Sequence, residues 1–462
     1  MIMARHQHVL ILGLGESGVA AARWCDRQGA RLRIADTRHH PPGLDELKYH
    51  LANAEFHTGE FDKSLLDGID LLVLSPGLSP GILVVLHARA LGIPVVGEIE
   101  LFAQALRQLA PPVPVIAITG TNGKTTTTTL TGHLIASLGK TVGVAGNISP
   151  AALTALMDYQ DRGTLPQAWV LELSSFQLET TETLQAAAAT VLNISDDHLD
   201  RYIDLDDYAL TKTRIFAGNG VQVLNRDDPR VRRMAIAGRR LITFGLDAPA
   251  DTEDFGLRPN RGEAWLVQGD RFLMPVSELA IPGLHNAANA LAALALCAAI
   301  GIDAGSLLPA LRSFKGLAHR VEKVTTIQGV TYYDDSKGTN VGATVAALEG
   351  LGGVGCKPVV ILGGDGKGQD FSPLQAAVGA HARAVVLIGR DAPLIGAAIA
   401  RSGIPVLNAG DMDEAVSLAA GQARPGDAVL LSPACASFDM YRNYGHRAEV
   451  FRAAVAMLEQ HG

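Results

Sequence analysis

The sequence predicts an α/β protein in which mostly parallel sheets are covered by helices. Short apolar runs typical of buried strands alternate with helix-length stretches along the whole chain, as in "HVLILGL", "VIAITG" and "PVVILGG". The chain has 462 residues, of which 48% are hydrophobic and 5% aromatic, a composition typical of soluble α/β enzymes. At roughly 100–200 residues per domain, this length accommodates several domains with sizeable cores.

The strand pattern divides the chain into three segments, predicted as domains 1–102, 103–316 and 317–462. The first and third are predicted to be Rossmann-like, and the central one to be a mononucleotide-binding domain of the P-loop type. A proline-rich junction, "QLAPPVPV", marks the first boundary because proline cannot continue a helix. Ligands bind at the carboxyl ends of strands in open parallel sheets, so we expect the three segments to meet around a shared site.

Charge and cysteine content point to small-molecule partners in the cytoplasm. The net charge is -8, and no Lys/Arg run forms a nucleic-acid patch. The cysteines show no C-x-x-C pair and are predicted to be reduced packing residues; they are Cys25, Cys297, Cys356 and Cys435. The first apolar run is too brief for a signal peptide, and "NAANALAALALCAAIGI" is too short to span a membrane.

The stretch "VIAITGTNGKTTTTTL" has a strand, a glycine turn and a helix start in the order of a phosphate-binding loop. Free N–H groups at a helix N-terminus bind phosphate, and Gly120 and Gly123 allow close approach. Lys124 can neutralise the β- and γ-phosphates, while the Thr125 hydroxyl can reach Mg²⁺. A standard P-loop has another glycine where this chain has Ile118. The alternative is an ordinary strand-to-helix turn.

Two further polar groups follow strands of the central segment. The strand in "AWVLEL" is predicted to end at Glu172, where P-loop enzymes need a carboxylate for Mg²⁺. A Glu that only caps or solvates a loop is the alternative. His198 lies in the acidic stretch "NISDDHLDRY". A lone histidine of this kind is more often structural than a ligand.

The N-terminal "GLGESG" is a complete G-x-G-x-x-G between a strand and a helix, and Asp36 closes the next strand. This pattern predicts a nucleotide diphosphate site, with Asp36 at the spacing of a ribose-binding acid. It does not select the base, so an NAD(P)-dependent dehydrogenase remains an alternative, as does a purely structural turn.

The third segment places polar loops after "VTYYDDS", "PVVILGG" and "DAVLLSP". Lys337 and Lys367 are candidates to bind phosphate or a substrate carboxylate, with solvated lysines as the alternative. Ser437 follows the last of these strands. Cys435 invites a nucleophile interpretation, but no partner base is evident nearby.

Taken together, these motifs resemble the Mur ligase family, ATP-dependent enzymes that add amino acids to the peptidoglycan precursor. The resemblance rests on "GTNGKTT", "LELSSFQLE", "SDDHLDRY", "PGLHNAANALAA", "LAHRVE", "DDSKGTN", "LGGDGKG" and "SPACASFD", which cover nearly the whole chain in family order. A phosphate loop without its first glycine is that family's version. The resemblance implies an N-terminal domain for a UDP-sugar, a central domain for ATP and a C-terminal domain for the amino acid.

The resemblance also implies site residues. For ATP they are Gly120, Thr121, Asn122, Gly123, Lys124, Thr125, Thr126, Asn286, Asn289, Arg320, Asp335 and Lys337. For the UDP-substrate they are Leu14, Ser17, Asp36, Thr37, Arg38, Ser75, Gly77, Asn147, Gln177 and His198. For D-glutamate they are Thr339, Lys367, Ser437, Phe438 and Tyr444, the last of which is Phe in the family pattern.

Catalytic and metal roles follow from the same resemblance. The catalytic residues implied are Lys124, Glu172, His198 and Lys212. Two Mg²⁺ ions are implied, held by Thr125, Glu172, His198 and Lys212. Lys212 matches a lysine that is carbamylated in the family; the pattern of "YALTKTRIF" alone would predict a surface helix lysine. A carbamate supplies oxygen donors to Mg²⁺, whereas an ammonium group repels it.

The implied reaction uses ATP to activate the terminal carboxylate of UDP-N-acetylmuramoyl-L-alanine (UDP-MurNAc-L-Ala) as an acyl phosphate, which the D-glutamate amine attacks through a tetrahedral intermediate. We expect a monomer whose domains close around the substrates. A sister ligase for another amino acid, a folylpolyglutamate synthetase-like ligase and a non-catalytic nucleotide-binding regulator remain alternatives at this point.

Overall fold

The structure is a computed structural model that describes residues 6–197, 201–281, 283–317, 319–352 and 356–461. Its described residues form three sheets of five, nine and six strands. Helices lie between most successive strands. This is the predicted mixed α/β architecture.

The first sheet is parallel throughout, in the order β3-β2-β1-β4-β5. Its strands are β1 (His8–Leu12), β2 (Arg31–Asp36), β3 (Glu55–Thr58), β4 (Leu71–Leu74) and β5 (Val95–Val96). The helices are α1 (Glu16–Arg27), α2 (Leu44–His50), α3 (Leu83–Ala90) and α4 (Glu98–Leu106). The order reverses between β1 and β4, so the loops that follow these two strands flank the crevice where open parallel sheets generally bind ligands.

The second sheet has the order β14-β13-β12-β11-β10-β9-β6-β8-β7. Its strands are β6 (Val115–Thr119), β7 (Val142–Gly146), β8 (Ala168–Glu172), β9 (Ala188–Val191), β10 (Val221–Asn225), β11 (Leu241–Phe244), β12 (Phe255–Asn260), β13 (Glu263–Gln268) and β14 (Arg271–Pro275). The helices are α5 (Lys124–Ala136), α6 (Ala152–Asp161), α7 (Ser175–Leu178), α8 (Leu205–Thr213), α9 (Pro229–Arg232), α10 (Leu284–Ala299) and α11 (Leu308–Ser313).

Two antiparallel strands, β13 and β14, extend the second sheet and were not foreseen. The β12–β13 turn has Arg261 and Gly262 at positive φ (52° and 86°), as a tight hairpin requires. The strands are partly exposed, so they lack the continuous apolar run by which buried strands are recognised. By contrast, α10 is buried on nearly all sides, as expected of a core helix.

The third sheet has the order β15-β16-β20-β17-β18-β19, and only β15 is antiparallel to its neighbour. Its strands are β15 (Glu322–Ile327), β16 (Val330–Asp334), β17 (Pro358–Leu362), β18 (Ala384–Leu387), β19 (Val406–Asn408) and β20 (Ala428–Leu431). The helices are α12 (Val341–Gly352), α13 (Pro373–His381), α14 (Ala392–Ala398), α15 (Met412–Gln422) and α16 (Tyr444–His461). Within the described ranges, every helix is too short or too polar to cross a membrane.

The first two sheets share a hydrophobic core across their junction. Trp24 of α1, Phe102 of α4 and Trp169 of β8 belong to one buried cluster, and the Phe102 and Trp169 rings meet edge to face at 5.1 Å. The third sheet has separate cores on its two faces. The predicted boundary at residue 102 therefore falls inside α4, a helix that packs against both units.

Glu98 is a buried carboxylate at this junction. Its Oε1 accepts a hydrogen bond of 2.6 Å from the Leu153 backbone N–H at the start of α6, while Oε2 is buried without a partner among the described residues. Burial raises the pKa of Glu98 to about 7, and the nearby Glu16 carboxylate also raises it. The folded protein therefore favours the protonated acid.

We expect Glu98→Gln to stabilise the protein at about pH 8 by several degrees in Tm, and much less at about pH 5. The Glu98 pKa is higher in the folded protein than in the unfolded chain, so the folded state holds a proton that the unfolded state has already released. The contribution of Glu98 to stability is therefore lost as pH rises through about 7. Thermal melts of both proteins across this range measure the difference. An equal Tm difference at both pH values would contradict the assignment.

Candidate active site

The phosphate loop runs from the end of β6 to the start of α5. Gly123 adopts the left-handed conformation (φ 81°) at the helix N-cap, and a Cβ there would lie 2.4 Å from Asn289 Oδ1. Glycine is therefore needed both for the turn and for the close approach of α10. The loop thus leads directly into the N-terminus of α5, where free N–H groups can bind phosphate.

Lys124 folds back over this loop. Its Nζ donates to the carbonyl oxygens of Gly120 and Thr121 at 2.9 and 2.7 Å. Burial lowers the pKa of Lys124, and the nearby Glu172 carboxylate opposes that effect. The amine therefore lies at the loop where phosphate oxygens would bind, with a carboxylate near it.

Asn193, which the sequence analysis missed, lies just after β9 and hydrogen-bonds to the backbone of the phosphate loop. Its Oδ1 accepts from the Asn122 backbone N–H at 2.8 Å, and its Nδ2 donates to the Asn122 carbonyl at 3.1 Å. The signal for it was available, since "ATVLNIS" places a polar amide just after a buried strand. Parallel pairing of β9 with β6 brings that amide to the loop.

Glu172 lies where its strand position predicts, at the end of β8 and paired in register with Ile118 of β6. Its Oε1 accepts from Asn147 Nδ2 at 2.9 Å. Its Oε2 is buried and has no hydrogen-bond partner among the described residues. A buried carboxylate oxygen without a donor costs free energy, so this geometry fits a cation beside the phosphate loop.

Lys212 is buried, with 1% of its surface exposed, although it lies on a helix that the sequence pattern marks as a surface helix. Its Nζ donates to Gly120 O at 3.1 Å and to Thr119 Oγ1 at 3.3 Å, and it lies over the Tyr208 ring. Burial, reinforced by the charge of Lys124, lowers the pKa of Lys212 well below its usual range. Burial therefore shifts this amine toward its neutral form.

A cavity opens between the phosphate loop, α10 and the C-terminal domain. Seven of the predicted ATP residues line it: Asn122, Gly123, Thr126, Asn286, Asn289, Arg320 and Asp335. His285, which was not predicted, also lines it, and burial lowers its pKa to about 4, so the ring is neutral. The apolar part of the lining, with Leu192, Phe244 and Leu317, suits a flat base.

The C-terminal domain contacts the phosphate loop directly. Arg320 Nη2 donates to Thr125 Oγ1 at 2.9 Å, and Asn340 Nδ2 donates to Asn122 Oδ1 at 3.0 Å. Asn340 was not predicted. Its Oδ1 accepts from the Ala343 backbone N–H at the start of α12. The Asn340 side chain therefore both contacts the phosphate loop and caps this helix.

Asp335 and Lys337 follow β16 on the C-terminal side of this cavity. Burial raises the pKa of Asp335 to about 7, against the opposing hydrogen bond of 2.6 Å that Ser432 Oγ donates. Burial and the charge of Arg320 lower the pKa of Lys337 to about 8. Both groups thus titrate near neutral pH, which is common at functional sites.

Seven of the ten predicted UDP residues lie in or beside the loops that follow β1, β2 and β4, around the β1–β4 crevice. Asp36 is buried at the end of β2 and accepts from the Leu14 backbone N–H at 2.7 Å and from the Arg38 guanidinium at 2.7 and 2.8 Å. Burial raises the pKa of Asp36, but these hydrogen bonds outweigh it and lower the pKa. The carboxylate therefore fixes the glycine turn and orients Arg38.

Close packing explains the glycine spacing in this crevice. A Cβ on Gly18 would lie 1.9 Å from the Gly13 carbonyl, and one on Gly13 would lie 2.8 Å from Ser75 Cβ. Ser75 follows β4, Ser17 lies in the first turn of α1, and Thr37 and Gly77 are exposed in the flanking loops.

Asn147 and Gln177 lie on the central domain. Asn147 binds Glu172, as described above. Gln177 is buried in the short helix α7, where its Oε1 accepts from the Ser174 backbone N–H at 3.0 Å in a capping box. His198 lies outside the described residues.

Four of the predicted D-glutamate residues lie in loops that follow β16, β17 and β20, and Tyr444 is the first residue of α16. Backbone hydrogen bonds between Asp365 and Ala436 join the loops that carry Lys367 and Ser437. Phe438 is exposed, and the Tyr444 ring lies beneath Lys337 Nζ at 5.5 Å. The parallel pairing of β16, β20 and β17 thus brings the segments that follow them to the same end of the third sheet.

The phosphate loop, the buried strand-end carboxylate and the cavity between two domains define a nucleotide-binding protein of the P-loop type. Family comparisons match a MurD-like Mur ligase N-terminal domain to residues 7–97, a Mur ligase middle domain to 118–297 and a Mur ligase glutamate ligase domain to 319–435. The chain belongs to the Mur ligase family.

Curated relatives match nearly the full length. The UDP-N-acetylmuramoylalanine--D-glutamate ligase of Aromatoleum aromaticum is 58% identical, with 98% of each chain covered. The protein of the same name from Nitrosospira multiformis is 56% identical, with 98% of this chain and 95% of that one covered.

Solved structures show the same fold at low sequence identity. A pseudomurein peptide ligase type C from Methanothermus fervidus aligns with a TM-score of 0.63 at 18% identity, covering 98% of this chain and 100% of that one. The UDP-N-acetylmuramate-alanine ligase MurC of Thermotoga maritima aligns with a TM-score of 0.61 at 19% identity, with the same coverage.

Proposed function

We propose that the protein is an ATP-dependent ligase that joins D-glutamate to UDP-MurNAc-L-Ala during peptidoglycan precursor synthesis. The observation that carries this proposal is the full-length similarity, at 58% and 56% identity, to two relatives named for that activity. A phosphate loop beside a buried carboxylate supports the ATP step.

The reaction begins when the terminal alanine carboxylate of the UDP-substrate attacks the γ-phosphate of ATP. ADP leaves, and the acyl phosphate replaces a poor electrophile with one that has a good leaving group. The D-glutamate amine then attacks this carbonyl through a tetrahedral intermediate and releases phosphate. Lys124 and the loop N–H groups stabilise the charge on the transferring phosphoryl group.

Glu172 and Thr125 would hold Mg²⁺, and Lys212 would join them as a carbamate. When bound, Mg²⁺ screens the repulsion between the anionic substrate and ATP. Lys212 meets the requirement for carbamylation, since its buried amine favours the neutral form that attacks CO₂. His198 is predicted at a second metal site and lies outside the described residues.

The three substrates would bind at three different sites. ATP binds in the cavity between the phosphate loop and Arg320, the UDP-sugar at the β1–β4 crevice, and D-glutamate near Thr339, Lys367, Ser437 and Tyr444. Free cysteines and the ATP requirement support a cytoplasmic location.

The deciding experiment measures phosphate release and product formation with ATP, Mg²⁺ and UDP-MurNAc-L-Ala. D-glutamate is compared with L-glutamate, L-alanine and meso-diaminopimelate. We expect turnover with D-glutamate only. Turnover with another amino acid would indicate a sister ligase, and no turnover with any would leave a nucleotide-binding protein without this activity.

A further inference from the structure

Arg201 joins the central domain to the N-terminal domain at the edge of the β1–β4 crevice. Its Nη1 donates to the Pro76 carbonyl at 3.1 Å, and its Nη2 donates to the Leu78 carbonyl at 2.9 Å. These two carbonyls flank Gly77, a residue predicted to line the UDP site. A central-domain side chain therefore hydrogen-bonds to the backbone of the loop that follows β4.

The guanidinium is held firmly from its own side of the junction. Its Nε and Nη2 donate to the Glu179 carboxylate at 3.1 and 2.5 Å, and its Cζ lies 4.1 Å from the centre of the Phe176 ring. The Tyr202 hydroxyl donates to the same carboxylate at 2.8 Å. Arg201 and Glu179 side chains are each only 12% exposed, so this ion pair is shielded from solvent.

The loop that follows β4 also packs against the glycine turn that follows β1. The Ser75 N–H donates to the Leu12 carbonyl at 2.9 Å, and the Leu78 N–H donates to the Ser75 carbonyl at 3.0 Å. The Leu78 side chain lies against Gly13. A shift of this loop would therefore alter the crevice at both of its walls.

Glu179, which holds the Arg201 guanidinium, lies on the segment that follows β8 and Glu172. Glu179 follows α7, whose capping box contains Gln177, and Arg214 Nη1 also donates to the Glu179 carbonyl at 2.7 Å. The α7 helix follows β8, the strand that ends in Glu172. The Arg201 contacts thus connect the walls of the crevice to the element that carries the phosphate-side carboxylate.

We infer that Arg201, oriented by Glu179, is a positioning residue that sets the uridine-binding loop relative to the phosphate loop. This inference rests on the proposed function, because it assigns the crevice to the UDP-sugar. The Pro76 and Leu78 carbonyls and the Glu179 carboxylate together match the several N–H donors of one planar guanidinium group. A lysine ammonium group cannot donate to all three with the same geometry. Loss of the fork should weaken UDP-substrate binding and leave the ATP site intact.

The test compares Arg201→Lys, Arg201→Ala and Glu179→Gln with the wild type. We expect KM for UDP-MurNAc-L-Ala to rise by about tenfold or more in the Arg201 variants, with KM for ATP unchanged within about twofold. The dissociation constant of UDP alone, measured by calorimetry, should rise together with KM for UDP-MurNAc-L-Ala. Arg230→Ala is the matched control, because its ion pair with Asp206 lies exposed on the same domain.

The outcomes separate the inference from the proposed function. If wild-type protein turns over the substrates but the variants keep the wild-type KM for the UDP-substrate, the positioning role is wrong. If both KM values and Tm change in parallel, including in Arg201→Lys, Arg201 acts only through stability. A wild type that neither binds UDP nor turns over the UDP-substrate would overturn the proposed function itself.

Discussion

Replacing Lys124 with methionine is expected to reduce kcat by on the order of 10³-fold or more, because a charge that stabilises the transferring phosphoryl group is lost. Methionine keeps most of the aliphatic stem but removes the amine that hydrogen-bonds to the Gly120 and Thr121 carbonyls. Phosphate release under saturating substrates measures the loss. A circular dichroism melt checks that the fold is retained.

Lys140→Met is the matched control for Lys124. It removes a lysine from the same domain beyond the end of α5, where the side chain is exposed. We expect wild-type turnover in this variant. Activity in Lys124→Met within about tenfold of the wild type would contradict a role at the phosphates, since one strong donor alone is worth more than that.

Lys212→Ala is expected to lose most activity and to regain part of it when formate or acetate is supplied. In the proposed modification the neutral Nζ attacks the carbon of CO₂, a C–N bond forms, and an amine proton passes to solvent. The product is an anion with two oxygen donors that suit Mg²⁺. A small carboxylate can enter the space that alanine leaves and replace those oxygens.

Two controls make the Lys212 result specific. The same carboxylates should not restore Lys124→Met, because that variant lacks a cation at the phosphates rather than oxygen donors. Wild-type protein incubated with ¹³C-labelled bicarbonate should show a carbamate carbon signal that Lys212→Ala lacks. Full activity of Lys212→Ala without added carboxylate, or a missing carbamate signal in active wild type, would refute the modification.

The phosphate loop illustrates what local pattern predicts well. A strand, a glycine turn and a helix lie within one short stretch, so hydrophobic periodicity and glycine positions are sufficient to place Lys124 at a helix N-terminus. The same holds for "GLGESG", where β1 and α1 flank the turn. Glu172 was predicted from its position at the end of a buried strand.

Lys212 illustrates the opposite case. Its helix shows no apolar stripe that would mark the lysine as buried, and only the family resemblance gave it a role. The structure places the amine against Gly120 beneath the phosphate loop. Burial of this kind depends on how a helix packs against a distant strand, so composition and periodicity carry no signal for it.

By itself, the sequence determined the α/β class, the order of the main strands and the residues that end them, because these depend on short-range patterns. The tertiary structure decided which of these ends meet. Arg320 reaches Thr125 across 195 residues and Asn340 reaches Asn122 across 218, while Arg201 reaches Leu78 across 123. Contacts so far apart in the chain arise from sheet order and domain packing, and local propensity does not encode either.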